Sequence, residues 1–218
     1  YCKNSPIRRV DASGCKDYAT IGPGEDLFDL VHNQEFILGY VSDYLAEQQR
    51  IINANIRYNW KGQSDKAGYS CATFISKPLQ KISQNKTNKG KFIRSYTGIG
   101  SMLKNSGNHL LFIARLSDYS LDEIPVGASF LRTAGYNGAE HGHGATFAAR
   151  LSNGMLTINH AAGTEEGILS EDITYEELCR RFEYIAWPAG LGTQEENPTL
   201  WRVRDEPADF YELSLIHI

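Results

Sequence analysis

The chain has 218 residues, of which 41% are hydrophobic and 22% are charged. This composition is ordinary for a globular protein, and the length suits one domain with a sizeable core plus an extension. The formal net charge of −4 predicts no broad basic surface for nucleic acid, and no apolar run approaches the ~20 residues of a membrane-spanning helix.

The first 55 residues are predicted to form an extension in front of the main domain. Residues 1–20 are polar, and Cys2 and Cys15 bracket a short loop that a disulfide could close in an oxidising compartment. From residue 26 to residue 54, apolar and aromatic side chains recur at helical spacing, and the Pro23-Gly24 pair before them suits a helix start. We therefore expect one or two helices packed beside a domain that spans residues 56–212.

The segment around Cys71 carries the strongest indication of chemistry. A YNWKG sequence at 58–62 leads through a loop rich in glycine and serine to this cysteine, and apolar residues at helical spacing follow it: Ala72, Phe74, Ile75, Leu79 and Ile82. We expect Cys71 at or just before the start of a helix, where unpaired backbone N–H groups and the helix dipole favour negative charge. A thiol placed there ionises readily, and the thiolate is the nucleophile.

Two other interpretations of Cys71 stay open at the level of the sequence. Cysteine is among the most frequently buried residue types, so Cys71 could be an inert core thiol. It could also form a disulfide with Cys179, which lies in the helical pattern TYEELCRRFEYIA at 174–186.

A second group of candidate residues lies between positions 138 and 163. Asn153-Gly154 is a strong hairpin signal, and it predicts two strands with His141 and His143 at the entry of the first and His160 near the end of the second. A nucleophilic cysteine needs a histidine to take its proton and a third polar group to orient that histidine. His141 and His143 face the same side of an extended segment, so their spacing does not choose between them.

The identity of the third polar group is open between two neighbours. A two-residue turn at the hairpin signal would pair His160 with Phe147, ~13 Å along the strand from His143, so contact between the histidines needs a longer or asymmetric loop. Asn159 is the alternative, and it points to the opposite face. A His-x-His pair could also bind a metal ion, but no HExxH or CxxC pattern accompanies it, and we expect neither a metal nor another cofactor.

These motifs, in this order, resemble the NlpC-type cell-wall cysteine peptidases, a branch of the papain-like superfamily. Five stretches carry the resemblance: YNWKG at 58–62, SCATF at 70–74, IPVG at 124–127, GHGATF at 142–147 and INHA at 158–161. Relative to the family pattern, serine replaces an aspartate at position 70, Ala72-Thr73 replace serine and glycine, and the turn lacks its aspartate. About seventy residues separate Cys71 from His143, which indicates an insertion in a divergent member.

The resemblance implies an α+β papain-like fold, in which the helix that bears the cysteine packs on an antiparallel sheet that bears the histidines. It assigns Cys71 as nucleophile, His143 as general base, His160 as the third residue, and Tyr58 as a hydroxyl near the nucleophile that steadies the oxyanion. The implied function is hydrolysis of amide bonds in the stem peptides of peptidoglycan, without a cofactor, by a secreted or cell-envelope protein.

Related chemistry and a non-enzymatic role are the alternatives. The same thioester chemistry serves acyltransferases and antibacterial amidase effectors, which pass or release the acyl group differently. A disulfide-locked Cys71 would instead suit a non-catalytic wall-binding module.

The last six residues, LSLIHI at 213–218, resemble the translated end of an adapter used in sequencing libraries. We therefore expect the native sequence to differ after about residue 212, and we assign no role to His217.

Overall fold

A computed structural model describes residues 34–86, 98–104, 111–188 and 203–204, with side chains placed for 41–81, 98–103 and 113–186. The predictions for Cys2, Cys15, the helix start near residue 23 and the segment 213–218 lie outside these residues. The described residues form a mixed α+β fold, in which helices pack against a largely antiparallel sheet. The predicted α+β class is thus confirmed at this coarse level.

The helices of the described ranges include two long ones, the first two in chain order, that pack on the same face of the sheet. They are α1 (Gln34–Asn53), α2 (Cys71–Lys86), α3 (Ile99–Lys104) and α4 (Tyr175–Arg181). The helical pattern at 174–186 gives a helix only as far as Arg181, because the buried residues Phe182 and Ile185 continue in extended backbone into a strand. None of the described helices is long and apolar enough to cross a membrane.

Within the described residues, the main sheet contains seven strands, and a separate small hairpin precedes it. The strands are β1 (Gln63–Ser64) and β2 (Gly68–Tyr69) in the hairpin, then β3 (Leu111–Arg115), β4 (Ser129–Arg132), β5 (His143–Leu151), β6 (Leu156–Gly163), β7 (Gly167–Ile173), β8 (Tyr184–Pro188) and β9 (Val203–Arg204). The order in the sheet is β3-β8-β4-β5-β6-β7 with antiparallel neighbours, and β9 pairs with β5 in parallel. Strands β5 and β6 therefore both lie inside the sheet, with β7 as the edge strand beside β6, and most of their residues are buried.

Apolar packing fills the face of the sheet that α4 covers. The ring of Phe130 lies 5.7 Å from that of Phe147 and 6.0 Å from that of Phe182, and all three side chains are fully buried. Burying an aromatic side chain of this size stabilises the fold by roughly 1.5–3 kcal/mol. This cluster fixes the position of β5 relative to α4.

Gly144 allows helix α2 to lie close to strand β5 on the other face. A Cβ at this position would stand 2.7 Å from Cδ1 of Ile75 and 2.9 Å from Cδ1 of Ile99. Ile75 lies one helical turn after Cys71, so this close contact also brings the start of α2 to the start of β5, where His143 stands.

Candidate active site

Helix α2 begins at Cys71 because the residues on either side of it form a capping box. Oγ of Ser70 accepts a hydrogen bond from the backbone N–H of Thr73 at 3.3 Å, and Oγ1 of Thr73 accepts one from the backbone N–H of Ser70 at 2.8 Å. This reciprocal pair fixes the first turn. Cys71 is accordingly the first helical residue, in agreement with the prediction from the sequence.

The thiol of Cys71 is free and half-buried, and opposing effects act on its pKa. Burial disfavours the thiolate and is the larger effect, so the pKa of Cys71 is raised. Backbone N–H groups of Ala72, Gly144 and Cys71 itself face the sulfur and act in the opposite direction. The expectation of a readily ionised thiol is therefore wrong for this structure, because desolvation outweighs the helix start.

His143 and His160 form the best-defined polar contact of the candidate site. Nε2 of His143 lies 3.1 Å from Nδ1 of His160, and the two rings meet at an interplanar angle of 77°. On another side, Phe182 stacks on the ring of His143 with 5.8 Å between centroids. Because Nε2 of His143 faces His160, Nδ1 is the ring nitrogen left to receive a proton from a nucleophile.

The two histidines meet because the pairing of β5 with β6 differs from a tight hairpin. His160 pairs with Ala145 rather than with Phe147. Ala145 is two residues along the strand from His143, so the histidines share one face and lie diagonally across the strand pair, within reach of each other.

Two irregularities produce this shift in the pairing. The backbone N–H of Leu151 bonds to the carbonyl of Met155 across a three-residue turn, in which Gly154 has a φ of 80°. A β-bulge between Phe147 and Ala149 shifts the pairing once more. The expected longer or asymmetric loop is thus present, and part of the asymmetry lies inside strand β5.

His160 also lies beside a carboxylate that the sequence did not indicate. Nε2 of His160 is 3.0 Å from Oε2 of Glu171, although the ring N–H is not aligned for a hydrogen bond to it. Nη1 of Arg181 donates to both carboxylate oxygens of Glu171, at 3.0 and 2.9 Å. No motif marks Glu171 or Arg181, since they reach His160 only through the pairing of β7 with β6 and the docking of α4.

Both imidazoles are uncharged at neutral pH. Burial is the main reason why the pKa of His143 falls to about 3, and repulsion from His160 when that ring is protonated, and from Arg132 and Arg181, adds to the effect. The pKa of His160 is also lowered, mainly by burial and then by Arg181, whereas Glu171 opposes the change. A thiol with a raised pKa and a neutral imidazole can exchange a proton only as the sulfur attacks, not beforehand.

The sulfur of Cys71 lies beside the main chain of His143 rather than against its ring. It is 4.0 Å from the carbonyl oxygen of Gly142, and the N–H of Gly144 faces it. Among the described residues, no hydrogen bond joins the thiol to either imidazole. The backbone N–H and C=O of Phe147 bond to Ala128 and Gly127, on the side of β4. Backbone groups of successive residues in a strand point to alternate sides, so those of Gly142 and Gly144 point towards β6. The sulfur therefore sits at the edge of β5 that faces β6, beyond the last residue pair of these strands.

Tyr58 is close to the thiol, as the resemblance implies. It packs with Cys71 against a small cluster of buried apolar residues, and its pKa is raised by burial first and by Cys71 second. Its hydroxyl therefore stays protonated and able to donate. Cys179 is a free, half-buried thiol, so the two cysteines do not form the disulfide that the sequence left open.

Asn159 and His141, the other two candidates, lie away from the histidine pair. Asn159 is fully buried on the opposite face, where it donates to Gln48 at 3.3 Å and accepts from Ser170 at 2.7 Å. It is therefore a structural residue and does not contact the ring of His143. His141 is 81% exposed.

A cleft of about 520 Å³ opens beside the histidine pair. Its walls include His143, His160, Arg132, Glu171 and Arg181. Within the described ranges, no three histidine, cysteine, aspartate or glutamate side chains form a group that could hold a metal ion. The arrangement can shuttle protons and bind a polar ligand.

No family model, no curated protein and no solved structure matches this chain. Any assignment of function therefore depends on the local geometry of these side chains.

Proposed function

We propose that the protein is a cysteine-dependent amidase that hydrolyses amide bonds in peptidoglycan stem peptides, on a divergent papain-like domain of NlpC type. The observation that carries this proposal is the placement of Cys71. It is the first residue of α2, backbone N–H groups of Ala72, Gly144 and Cys71 itself act to lower the pKa of its thiol, and it adjoins the strand that begins with His143. A cysteine at a helix start, close to a histidine in the fold, is one arrangement that supports acyl chemistry.

In the proposed reaction, Nδ1 of His143 takes the proton of Cys71 as the sulfur attacks the carbonyl carbon. His160 orients the ring of His143 through the 3.1 Å contact at Nε2. The imidazolium then gives its proton to the departing amine, which leaves a thioester on Cys71. Water, activated by the neutral His143, adds to the thioester and releases the carboxylic acid and the thiol.

The negative charge of the tetrahedral intermediate would be met by donors that already lie at the sulfur. The backbone N–H groups of Cys71 and Ala72 belong to the unpaired first turn of α2, and Tyr58 carries a protonated hydroxyl nearby. Fixed donors of this kind stabilise a developing oxyanion without reorganising.

The choice of substrate rests on the resemblance and on the shape of the site. The cleft beside the histidines holds about 520 Å³ and is lined by several charged side chains. This size lies in the range of clefts that bind small ligands, and a short, polar peptide is one of them. A wall substrate would also place the protein in the cell envelope or outside the cell.

A second candidate is a binding module without catalysis, and two observations favour it. The pKa of Cys71 is raised, and no hydrogen bond joins its thiol to His143 among the described residues. Catalytic hydrogen bonds are often long before the substrate binds, so these observations do not outweigh the placement of the thiol.

The test compares wild-type protein with Cys71→Ala and with Cys179→Ala, on purified muropeptides and on casein. Cys179 is the matched control because it is the other free, half-buried thiol of the described residues. We expect wild type and Cys179→Ala to release muropeptide fragments that have gained one water, by mass spectrometry, and Cys71→Ala to release none. Fragments joined to an added amine would indicate an acyltransferase. Cysteine-dependent cleavage of casein alone would overturn the proposal that wall peptides are the substrate. Cleavage of neither substrate would favour the binding module.

A further inference from the structure

Arg132 is the direct cross-strand neighbour of the candidate base. It ends strand β4, and in the pairing of β4 with β5 it lies opposite His143. Side chains of such a pair project from the same face with their Cβ atoms about 5 Å apart. Arg132 and His143 accordingly both line the cleft beside the histidine pair.

The charge of Arg132 is not neutralised by the described part of the chain. The contact described for its guanidinium is a long one, from Nε to the carbonyl oxygen of His141 at 3.4 Å. Arg181, across the same cleft, differs because the carboxylate of Glu171 holds it at 2.9 Å. Burial and the like charge of Arg181 both lower the pKa of Arg132, yet a guanidinium remains charged at any ordinary pH. A partly buried cation without a counter-charge favours the binding of an anion.

The acidic residues of the cleft do not serve Arg132. Glu171 and Glu177 both lie near Arg181, at 2.9 and 3.6 Å. Glu166 is exposed, and no ion pair links it to Arg132 among the described residues. An incoming anion would therefore meet Arg132 as the available positive charge.

We propose that Arg132 anchors a carboxylate of the substrate peptide next to the reacting amide, and so makes the site selective for acidic peptides. The planar guanidinium matches a carboxylate with two parallel hydrogen bonds. The thiol lies within the field of the same charge, since Cys71 and Arg132 shift each other's pKa. The anchoring of an anion stands by itself, whereas its identification as part of a substrate rests on the proposed function.

Alkylation of Cys71 tests the anchor without any turnover. Iodoacetate and iodoacetamide react alike, since the sulfur displaces iodide from the same kind of carbon, but only iodoacetate carries a carboxylate. The rates of both reagents at Cys71 are measured by peptide mapping and divided by their rates with a small free thiol. We expect wild type to favour iodoacetate. In Arg132→Gln the normalised ratio of the iodoacetate rate to the iodoacetamide rate should fall about tenfold, which corresponds to the loss of one charge-assisted hydrogen bond.

Two further variants separate the anchor from a general effect of charge. Arg132→Lys keeps the charge without the planar fork, so it should retain part of the preference even if Arg132→Gln folds poorly. Arg115→Gln removes an exposed arginine at the end of β3, outside the lining of the cleft, and should match wild type. If the ratio of the two rates is unchanged in Arg132→Gln, the anchor is wrong. Equal slowing of both reagents would then mean that Arg132 acts on the thiolate alone.

A second measurement addresses the substrate. Muropeptides with a free carboxylate beside the cleaved bond are compared with their amidated forms, and we expect Arg132→Gln to reduce kcat/KM about tenfold for the free acid only. A preference for iodoacetate in a protein that cleaves no muropeptide would leave the anchor and remove the proposed function. Cleavage of both peptide forms at equal rates would do the reverse.

Discussion

The two faces of the β5–β6 hairpin both bury polar side chains, and they do so in opposite ways. On the face towards α1, Thr146 and Asn159 join a closed network of neutral groups. Oγ1 of Thr146 lies 2.8 Å from both Oη of Tyr44 and Nε2 of Gln48, and Asn159 bonds to Gln48 as well. Each partner is uncharged, so the network has the same energy at any ordinary pH and serves to hold α1 on the sheet.

On the face towards α4, the polar groups are ionisable and the network is incomplete. His143 and His160 contact each other, but Nε2 of His160 lacks an aligned acceptor. Glu171 and Arg181 supply charges at its edge, and a cleft gives access. Buried groups that are left incomplete lower stability, and proteins retain them where a proton has to move. One face of the hairpin therefore stabilises the fold, and the other is suited to chemistry.

The largest effect should come from removing the candidate base. His143→Gln should reduce turnover of muropeptides by roughly 10²–10⁴, because general-base catalysis contributes about that factor. His141→Gln is the matched control, since His141 is two residues away and 81% exposed. Steady-state kinetics of both variants, with thermal melting to confirm folding, would check this. The opposite ranking of the two variants would mean that His141 is the base.

The stability of the protein should fall in acid because of the histidine face. His143 has a pKa of about 3 in the folded chain, against an ordinary value of 6.5. Between these values the unfolded chain binds more protons, so the free energy of unfolding decreases as the pH falls from about 6.5 towards about 3. The slope from one such group reaches about 1.4 kcal/mol per pH unit.

Urea unfolding between about pH 4 and about pH 7 measures this slope. Carboxylates with lowered pKa values, such as Glu47 and Asp65, add acid sensitivity of their own, and a histidine variant leaves that part unchanged. His143→Gln should therefore flatten the curve, whereas Asn159→Ala should lower it without a change of slope. Parallel curves for wild type and His143→Gln would contradict the low pKa.

Substitutions of the neighbouring residues Asn159 and His160 on β6 should affect stability and turnover differently. Asn159→Ala leaves buried partners at Gln48 and Ser170 unpaired and should lower the free energy of unfolding by about 1–3 kcal/mol, with unchanged turnover per folded molecule. His160→Gln should lower turnover while it changes stability less. Equal, full activity in both variants would mean that neither residue orients His143.

The smallest effect should come from the carboxylate beside His160. Glu171→Gln removes the charge that opposes the lowering of the His160 pKa, and we expect turnover to fall about tenfold. Glu177→Gln is the control, because Glu177 also lies near Arg181, at 3.6 Å, but has no described contact with His160. The acid limb of the pH–rate profile should move only in Glu171→Gln. Identical profiles in the two variants would show that Glu171 acts through Arg181 alone.

The sequence by itself determined the features that depend on neighbours along the chain. The apolar spacing after Cys71 predicted a helix that begins there, and Ser70 and Thr73 are the local residues that cap it in the structure. Asn153-Gly154 marks a hairpin whose first strand begins at His143. Each of these features is fixed by hydrogen bonds or periodicity over a few residues, which a single sequence displays.

The tertiary structure alone decided how these parts meet. A bulge between Phe147 and Ala149, together with a three-residue turn, sets which residue lies opposite His160. The pairing of β7 with β6 and the docking of α4 bring Glu171 to that histidine, and no local sequence pattern predicts either contact. The sequence also predicted a readily ionised Cys71, whereas packing raises its pKa. Strand pairing and desolvation depend on segments distant in the chain, and this is the physical reason that the helix start could be predicted while the proton chemistry of the site could not.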